Sequence, residues 1–516
     1  MNNSIKKITI VGGGSAGWLT AGILASEFKT QGDFAVEITL IESPDVPTVG
    51  VGEGTWPSMR QTLKKIGVSE AEFLVQCDAT FKQASKFDNW INGTNDSYFH
   101  PFTLPNGFFE ANIAEFWQQH SNQVSFADAT TAQSHLCKNG LAPKQISTPE
   151  YAFACNYGYH LDAGKFSAFL QKHCCEKLGV KHILDHVVKI NSLKNGDIAS
   201  VSSKLHGDID GDLFIDCTGL KSLLLGEHYG IEFISQKHVL FNDTALAVHV
   251  PYPHEDSPIA SHTISTAQTS GWIWDIGLPS RRGVGHVYSS AHISDDDAEQ
   301  QLRSYISPSL GINQKLADIR KISINPGFRS KFWHKNCVAI GMSSGFIEPL
   351  EASALALIEL SAKMVAEQLP ANRQVMDITA KRFNDKFSYR WQRIIEFLKL
   401  HYVLSSRQEA YWQDNRCENN IPEHLNELIT LWKYQTPYSY DTHHTEELFP
   451  AASFQYILYG MGFKTELALR QKREDKSQIA NKFFNDNIAL THKLMNAMSS
   501  NRELLNKIKQ YGLSKI

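Results

Sequence analysis

The sequence predicts an α/β protein whose sheet-and-helix core runs into an antiparallel sheet and then into a mostly helical C-terminal part. Three observations carry this. The β-branched run KITIVG (6–11) is bounded by glycine and leads through a glycine turn into WLTAGILASEF (18–28), apolar at helical spacing, and then into a second strand, AVEITLIES (35–43). Strand, helix and strand in that order form a βαβ unit, which implies a parallel sheet with a right-handed crossover. From about 245 to 290 apolar and polar residues alternate, as in antiparallel strands, and from about 353 onward the spacing is helical, beginning with ASALALIELSAKMVAEQL.

Between these landmarks, VSEAEFLVQCDATFKQASKF (68–87) reads as one or two helices, with Ser69 and Glu72 as a capping box. KFSAFLQKHCCEKLGV (165–180) reads as a helix, with Cys174 and Cys175 packed at its middle. KHILDHVVKINSL reads as one strand. The next stretch is a hairpin turning near His206–Gly211 and running into the buried strand LFIDCTG (213–219). In ISDDDAEQQL (293–302) Ser294 and Asp297 mark a capped helix start. No internal repeat or low-complexity linker interrupts the chain. We expect residues 1–370 to form an interleaved core and 371–516 a helical region.

Composition narrows the function. The chain has 516 residues, 42% hydrophobic and 20% charged, which is globular, and its formal net charge of −4 comes with no basic block. Nucleic acid is therefore not an expected partner. No run approaches the roughly 18 apolar residues of a membrane span, and the N-terminal apolar run is too short for a signal peptide. Eight scattered cysteines, none in a C-x-x-C pair, read as reduced, mostly buried thiols of a cytoplasmic protein. His443-His444 has no surrounding pattern that completes a metal site, so a polar loop is expected and no metal.

The first chemistry-bearing motif is the glycine turn VGGGSAGW (11–18). Gly12, Gly14 and Gly17 fit G-x-G-x-x-G around Ser15 and Ala16: a tight turn, a backbone open to a pyrophosphate, and close helix–strand packing. Glu42 ends the next strand, where a carboxylate would accept from a ribose hydroxyl. Two later segments, LFIDCTG with Asp216 and Gly219, and VAIGMSSGFIEPL (338–350) with Gly341, Gly345 and Pro349, resemble the second and third flavin contacts of glutathione-reductase-like FAD-binding (Rossmann-type) folds. That resemblance implies FAD rather than NAD.

Six motifs together resemble the flavin-dependent tryptophan halogenases. They are the glycine turn with Trp18, GVGEGTWP (50–57), DATFKQASKF (78–87), GWIWDIGLP (271–279), GVGHVYSS (283–290) and GFIEPLEASAL (345–355). The resemblance implies an enzyme that takes FADH2 from a separate flavin reductase. It uses O2 and chloride or bromide to make hypohalous acid, and it halogenates an aromatic ring, tryptophan or another indole. In this reading Gly50, Val51, Gly52 and Glu53 pass close to the flavin. Lys82 faces the halogenation chamber, where an ammonium would polarise hypohalous acid and a free amine would carry the halogen covalently. Glu351 beside the same chamber orients the acid or takes the ring proton. Halide sits on the backbone N–H groups of Ser353 and Ala354 at a helix start. Trp272 and Trp274, on one face of a strand, keep the substrate from the flavin.

Lys86 and Glu348 are the neighbouring candidates for the two catalytic roles. The chain departs from the family pattern at Gly277, where proline is usual, and at Ala352-Ser353-Ala354, where Ser-Thr-Gly is usual. Tyr434, Tyr438, Tyr440, Phe454 and Tyr456 offer aromatic walls, but no full amino-acid-binding set can be matched. Free tryptophan, indole and a larger indole-bearing molecule all remain open as substrate. The family is often dimeric, so a homodimer is an expectation. Two other functions fit the same fold: an aromatic monooxygenase, which would not need Lys82, and a flavin-binding protein without turnover.

Overall fold

The computed structural model describes residues 4–28, 35–46, 52–311, 314, 316–441, 447–467 and 474–515. The contacts divide the chain into two interleaved units. One comprises Met1–Ala79, Leu161–Gln236 and Asn325–Trp391, and the other Thr80–His160, Lys237–Ile324 and Gln392–Ile516. The glycine turn and Glu351 belong to the first, Lys82 and the two tryptophans to the second. His443-His444 lies outside the described residues.

The first unit is built on a six-stranded sheet. Its order is Trp333–His334, Cys337–Ala339, Leu213–Asp216, Lys7–Val11, Glu37–Glu42 and Lys181–Leu184. All neighbours are parallel except the edge strand Trp333–His334. The inner strands are buried on both faces, which is why they read as continuous apolar runs. The helix Ser15–Glu27 is buried from Gly17 through Ala25 and packs against the helices Ala163–Lys177 and Ser353–Glu367. Val11, Ile41, Phe214 and Cys337 form the core beneath, with Leu224 and Leu225.

The second unit holds a seven-stranded sheet in the order Arg320–Ser323, Thr244–Pro251, Arg281–Tyr288, Gly271–Gly277, Thr263–Gln268, Ala84–Asp88 and Ser97–Pro101. The alternating stretch from 245 to 290 is thus the antiparallel sheet expected. Only Thr263–Gln268 with Ala84–Asp88 pairs in parallel. The C-terminal stretch is helical, including Ala451–Gly460, Ser477–Ala497 and Asn501–Tyr511. Among the described residues no helix is long and apolar enough to cross a membrane. All eight cysteines are free, and six are buried. Burial pushes the Cys155 thiol up to about 11 and Cys174 to about 12, so these are inert packing groups.

Two readings are corrected. Residues 68–87 are helical only over Glu70–Gln76, where Ser69 Oγ caps the Glu72 N–H at 3.4 Å. Asp78, at φ 50, turns the chain away from the helix, and Thr80–Lys82 and Ala84–Asp88 are strands. Lys82 and Lys86 are therefore not one helical turn apart. Residues 181–193 form two strands, Lys181–Leu184 and Val187–Ser192. The break is held by Asp185, whose buried carboxylate accepts from the N–H groups of His186, Leu205 and His206. The helix Ser58–Ile66, closed by Gly67 at φ 83, was not anticipated.

That helix is tied to Ser353–Glu367 through one carboxyl. Glu359, 4% exposed, accepts from Ser58 Oγ at 3.1 Å and Thr62 Oγ1 at 2.5 Å. Burial pushes its pKa up to about 7 despite both hydroxyls. A carboxyl whose folded pKa is raised gives stability that is fully present below its unfolded pKa and is lost as pH rises through 7. Glu359→Gln should therefore lose less stability than the parent between pH 5 and pH 8, by on the order of 1–3 kcal/mol. Thermal melts at a series of pH values check this, and parallel curves for the two proteins would refute it.

Candidate functional site

Register in the first sheet brings the nucleotide motifs to one edge. Val11 pairs with Asp216 and Ile41, and Asp216 pairs with Ala339, so the strands end level. The glycine turn, the loop after Asp216, the Gly341 turn and Glu42 all leave from these carboxyl ends, where open α/β sheets bind ligands. Gly12 has φ 109, and a Cβ there would lie 2.3 Å from the Cys217 carbonyl oxygen. A Cβ on Gly17 would lie 1.9 Å from the Gly12 oxygen. By contrast, nothing stands within 4 Å of a Cβ built on Gly14. The first and third glycines close the turn, and the second faces open space at a helix N-terminus, as a pyrophosphate requires. This cradle fits a dinucleotide.

The surrounding residues are equally local. Ser15 Oγ lies 3.2 Å from Ser167 Oγ. Gly341 abuts Ala16, since a Cβ on the glycine would meet the Ala16 Cβ at 2.7 Å. Glu42 lies 2.8 Å from His182 Nε2 and folds its carboxylate over Gly13. Burial raises its pKa, with His182 opposing. Asp216, buried rather than solvated, accepts from Thr218 N and Oγ1, Ser222 Oγ, Leu224 N and Leu225 N. Its side chain shapes its own loop, which includes Gly219 at φ 70. Gly345 packs on Phe328 in a short strand, and Pro349 precedes the 3₁₀ turn Leu350–Ala352.

The first unit also joins GVGEGTWP to the Glu351 segment. Gly50 and Val51 lie outside the described residues. Gly52 has φ 139, and Glu53, only partly exposed, is pushed up to about 7 by burial and then by the charge of Asp162. Trp56 donates its indole N–H to the Glu351 carbonyl oxygen at 2.8 Å. Glu351 is buried, and both Glu351 (φ 64) and Ala352 (φ 55) are left-handed. Two consecutive non-glycine residues in this region carry strain on the order of 1–3 kcal/mol each, which clusters at functional sites. The helix Ser353–Glu367 starts directly after them with no side-chain cap. Its first N–H groups, those of Ser353 and Ala354, have no side-chain cap acceptor. Glu348 is buried as well.

In the second unit Lys82 ends the strand Thr80–Lys82 and is 1% exposed, with Nζ 5.3 Å from the centre of the Phe102 ring. Lys86 differs: it is partly exposed and paired with Asp88 at 2.9 Å. The structure thus separates the two candidates by environment. A buried primary amine is the uncommon one. Thr80 donates its hydroxyl to the Gly277 carbonyl at 2.7 Å, fixing the Lys82 strand to the end of the tryptophan strand. A Cβ on Gly277 would sit 2.9 Å from Ile259 Cγ2 and 3.1 Å from Tyr252 Oη.

Trp272 and Trp274 share a face with ring centres 6.4 Å apart, and Trp272 also meets Trp90 at 6.3 Å. Tyr434 and Tyr440 stand out to solvent, whereas Phe454 and Tyr456 are buried. Phe102 and His160, both beside Lys82, were missed by the sequence reading. The alternating pattern of GYHLD (158–162) carried the signal for His160, and Phe102 had none.

Comparison with known proteins agrees with this geometry. The tryptophan halogenase family model matches residues 7–474. The tryptophan 6-halogenase SttH of Streptomyces toxytricini is 33% identical over 480 residues, 88% of this chain and 89% of the relative. A crystal structure of a tryptophan halogenase from Shewanella frigidimarina NCIMB 400 superposes with a TM-score of 0.96 at 54% identity, covering 100% of this chain and 99% of that one. BrvH, a flavin-dependent halogenase from Brevundimonas sp. BAL3, superposes at 0.85 with 30% identity, covering 98% and 99%. With a buried lysine and a strained buried glutamate at the motif positions and a match of this extent, the chain belongs to the tryptophan halogenase family.

Proposed function

We propose that this chain is an FADH2-dependent halogenase acting on an indole-type aromatic ring. The observation that carries the reading is the buried amine of Lys82 at the family's motif position, beside the Phe102 ring. The nucleotide would lie on Gly12, Gly14, Ser15, Ala16 and Gly17, with Glu42, Gly52, Glu53, Asp216, Gly219, Gly341, Gly345 and Pro349 around it. Bound FADH2, with O2 and chloride or bromide, supplies hypohalous acid. A separate flavin reductase supplies the FADH2, and the free cysteines fit a reducing, cytoplasmic setting for that pair.

The chain's own residues do the rest. The uncapped N–H groups of Ser353 and Ala354 hold halide, favoured by the helix dipole. Ala in place of the usual Gly reshapes that turn and bears on which halide fits. Lys82 receives the hypohalous acid and presents the halogen, either polarised by its ammonium or bound to its amine. Glu351 takes the ring proton as aromaticity returns. Trp272 and Trp274 hold the substrate away from the flavin. Selectivity follows from holding one ring carbon near Lys82. Free tryptophan is the first substrate to test, because relatives such as SttH are named for it. Indole and larger indole-bearing molecules follow.

Incubation with FAD, a flavin reductase, NADH, O2, bromide and an indole panel tests the reading. A bromine isotope doublet in the product supports it. A gain of one oxygen would make the protein a monooxygenase, and normal flavin binding with no product would make it a flavin carrier. Lys82→Ala should keep FAD binding, followed by flavin fluorescence, and yield no halogenated product; turnover at the parent rate would refute the role. Glu351→Gln should still make hypohalous acid, read with a chemical trap, while ring substitution slows by about 10²-fold or more. Unchanged rates would move the role to Glu348.

A further inference from the structure

Within the second unit, the start of the last helix grips the strand that carries Lys82 from both sides. That helix, Asn501–Tyr511, lies beyond the residues 7–474 that the family model matches. Ser500 caps it, its Oγ accepting from the Glu503 N–H at 3.1 Å, and Leu504, Leu505 and Ile508 seat one face in the core. Ahead of Lys82 the grip runs through a guanidinium. Arg502, 8% exposed, donates from Nη1 to the Pro279 carbonyl at 2.7 Å and from Nε to the Ser257 carbonyl at 2.9 Å. Its Cζ lies 5.0 Å from the centre of the Tyr252 ring. Pro279 stands two residues past Gly277, whose carbonyl accepts from Thr80 at 2.7 Å.

Past Lys82 the grip runs through a buried amide and main chain. Gln83, wholly buried, donates from Nε2 to the Leu141 carbonyl at 2.8 Å. Leu141 bridges Ser500 antiparallel. On either side of that bridge the Ala142 N–H donates to the Ser499 carbonyl and the Asn501 N–H to the Gly140 carbonyl, both at 2.9 Å. Thr80 and Gln83 bracket Lys82, and each is joined to the same helix turn through one further segment. Both routes are continuous in hydrogen bonds and covalent chain. An apolar side chain at 502 would be buried at lower cost, but a planar guanidinium fork holds two carbonyls at a fixed separation. Halogen transfer needs such precision, because a displacement of about 1 Å at the reacting atoms costs on the order of 10²-fold.

We propose that Arg502 is a positioning residue for halogen transfer: by tying Pro279 and Ser257 to the helix start it sets where Lys82 stands, and so the share of hypohalous acid that reaches the ring instead of escaping to solvent. The proposal rests on Lys82 as the group that presents the halogen, and it requires neither the charged nor the neutral form of that amine. Arg502 acts through the strand and takes no part in bond making. Its loss leaves the oxidant forming as before and loosens the place where the oxidant is used.

The test is the partition of halogen between ring and solvent. Full-length protein with FAD, the reductase, NADH, O2, bromide, and tryptophan and indole together is run with an added β-diketone trap. The trap takes halogen from free hypohalous acid as its C–H becomes C–Br and water leaves. Arg502→Met keeps an unbranched side chain over Tyr252 and loses both bonds. Its total output, ring product plus trapped halogen, should match the parent, while the ratio of ring product to trapped halogen falls about tenfold or more. Arg502→Lys, which keeps the charge without the fork, should fall between the two. A parent-like ratio, or a loss of total output at constant ratio, overturns the proposal, since a helix that only stabilises the fold changes the amount of active enzyme and not the partition. If Arg502→Met does not fold, Arg502→Lys decides by the same criteria. Parent-like product from Lys82→Ala would instead remove the underlying reading, so the two failures are distinct.

Discussion

Everything in the first unit follows from the register of its parallel sheet. Val11, Asp216 and Ala339 reach the same level, and each strand hands its chain to a loop at that edge. A slip of one residue would turn every side chain to the opposite face and scatter the loops along the sheet. The tight contacts of Gly12 with Cys217 and of Gly341 with Ala16 exist only in this register. The cradle is therefore a product of pairing geometry as much as of glycine content.

A second constraint acts at Glu351. The backbone there turns left-handed for two residues without glycine, and the Trp56 indole anchors the turn through the Glu351 carbonyl. Farther along the same helix Glu359 binds Ser58 and Thr62. The segment after GVGEG thus touches the helix at its start and again beyond it. Strain held between two such attachments keeps a buried carboxyl in place without help from solvent.

Much of this was legible in the chain. The βαβ unit, the alternation from 245 to 290 and the caps at Ser69 and Ser294 all follow from local pattern, and each was found where pattern put it. Residues 78–87 were misread because short, buried strands lack periodicity and their pairing partners lie far along the chain. The same limit hid Phe102 and His160, whose positions beside Lys82 come from strand pairing and packing. The strain at Glu351 was invisible too, because glutamate carries no signature of a left-handed backbone.

Gly277 is closely surrounded on the side where a side chain would stand. Its carbonyl still anchors Thr80, an acceptor that any residue would provide. The space a ring would fill is taken by Ile259 and Tyr252. A side chain at 277 therefore meets Ile259 and Tyr252 unless one of them gives way. A library built on this scaffold should vary 252, 259 and 277 together.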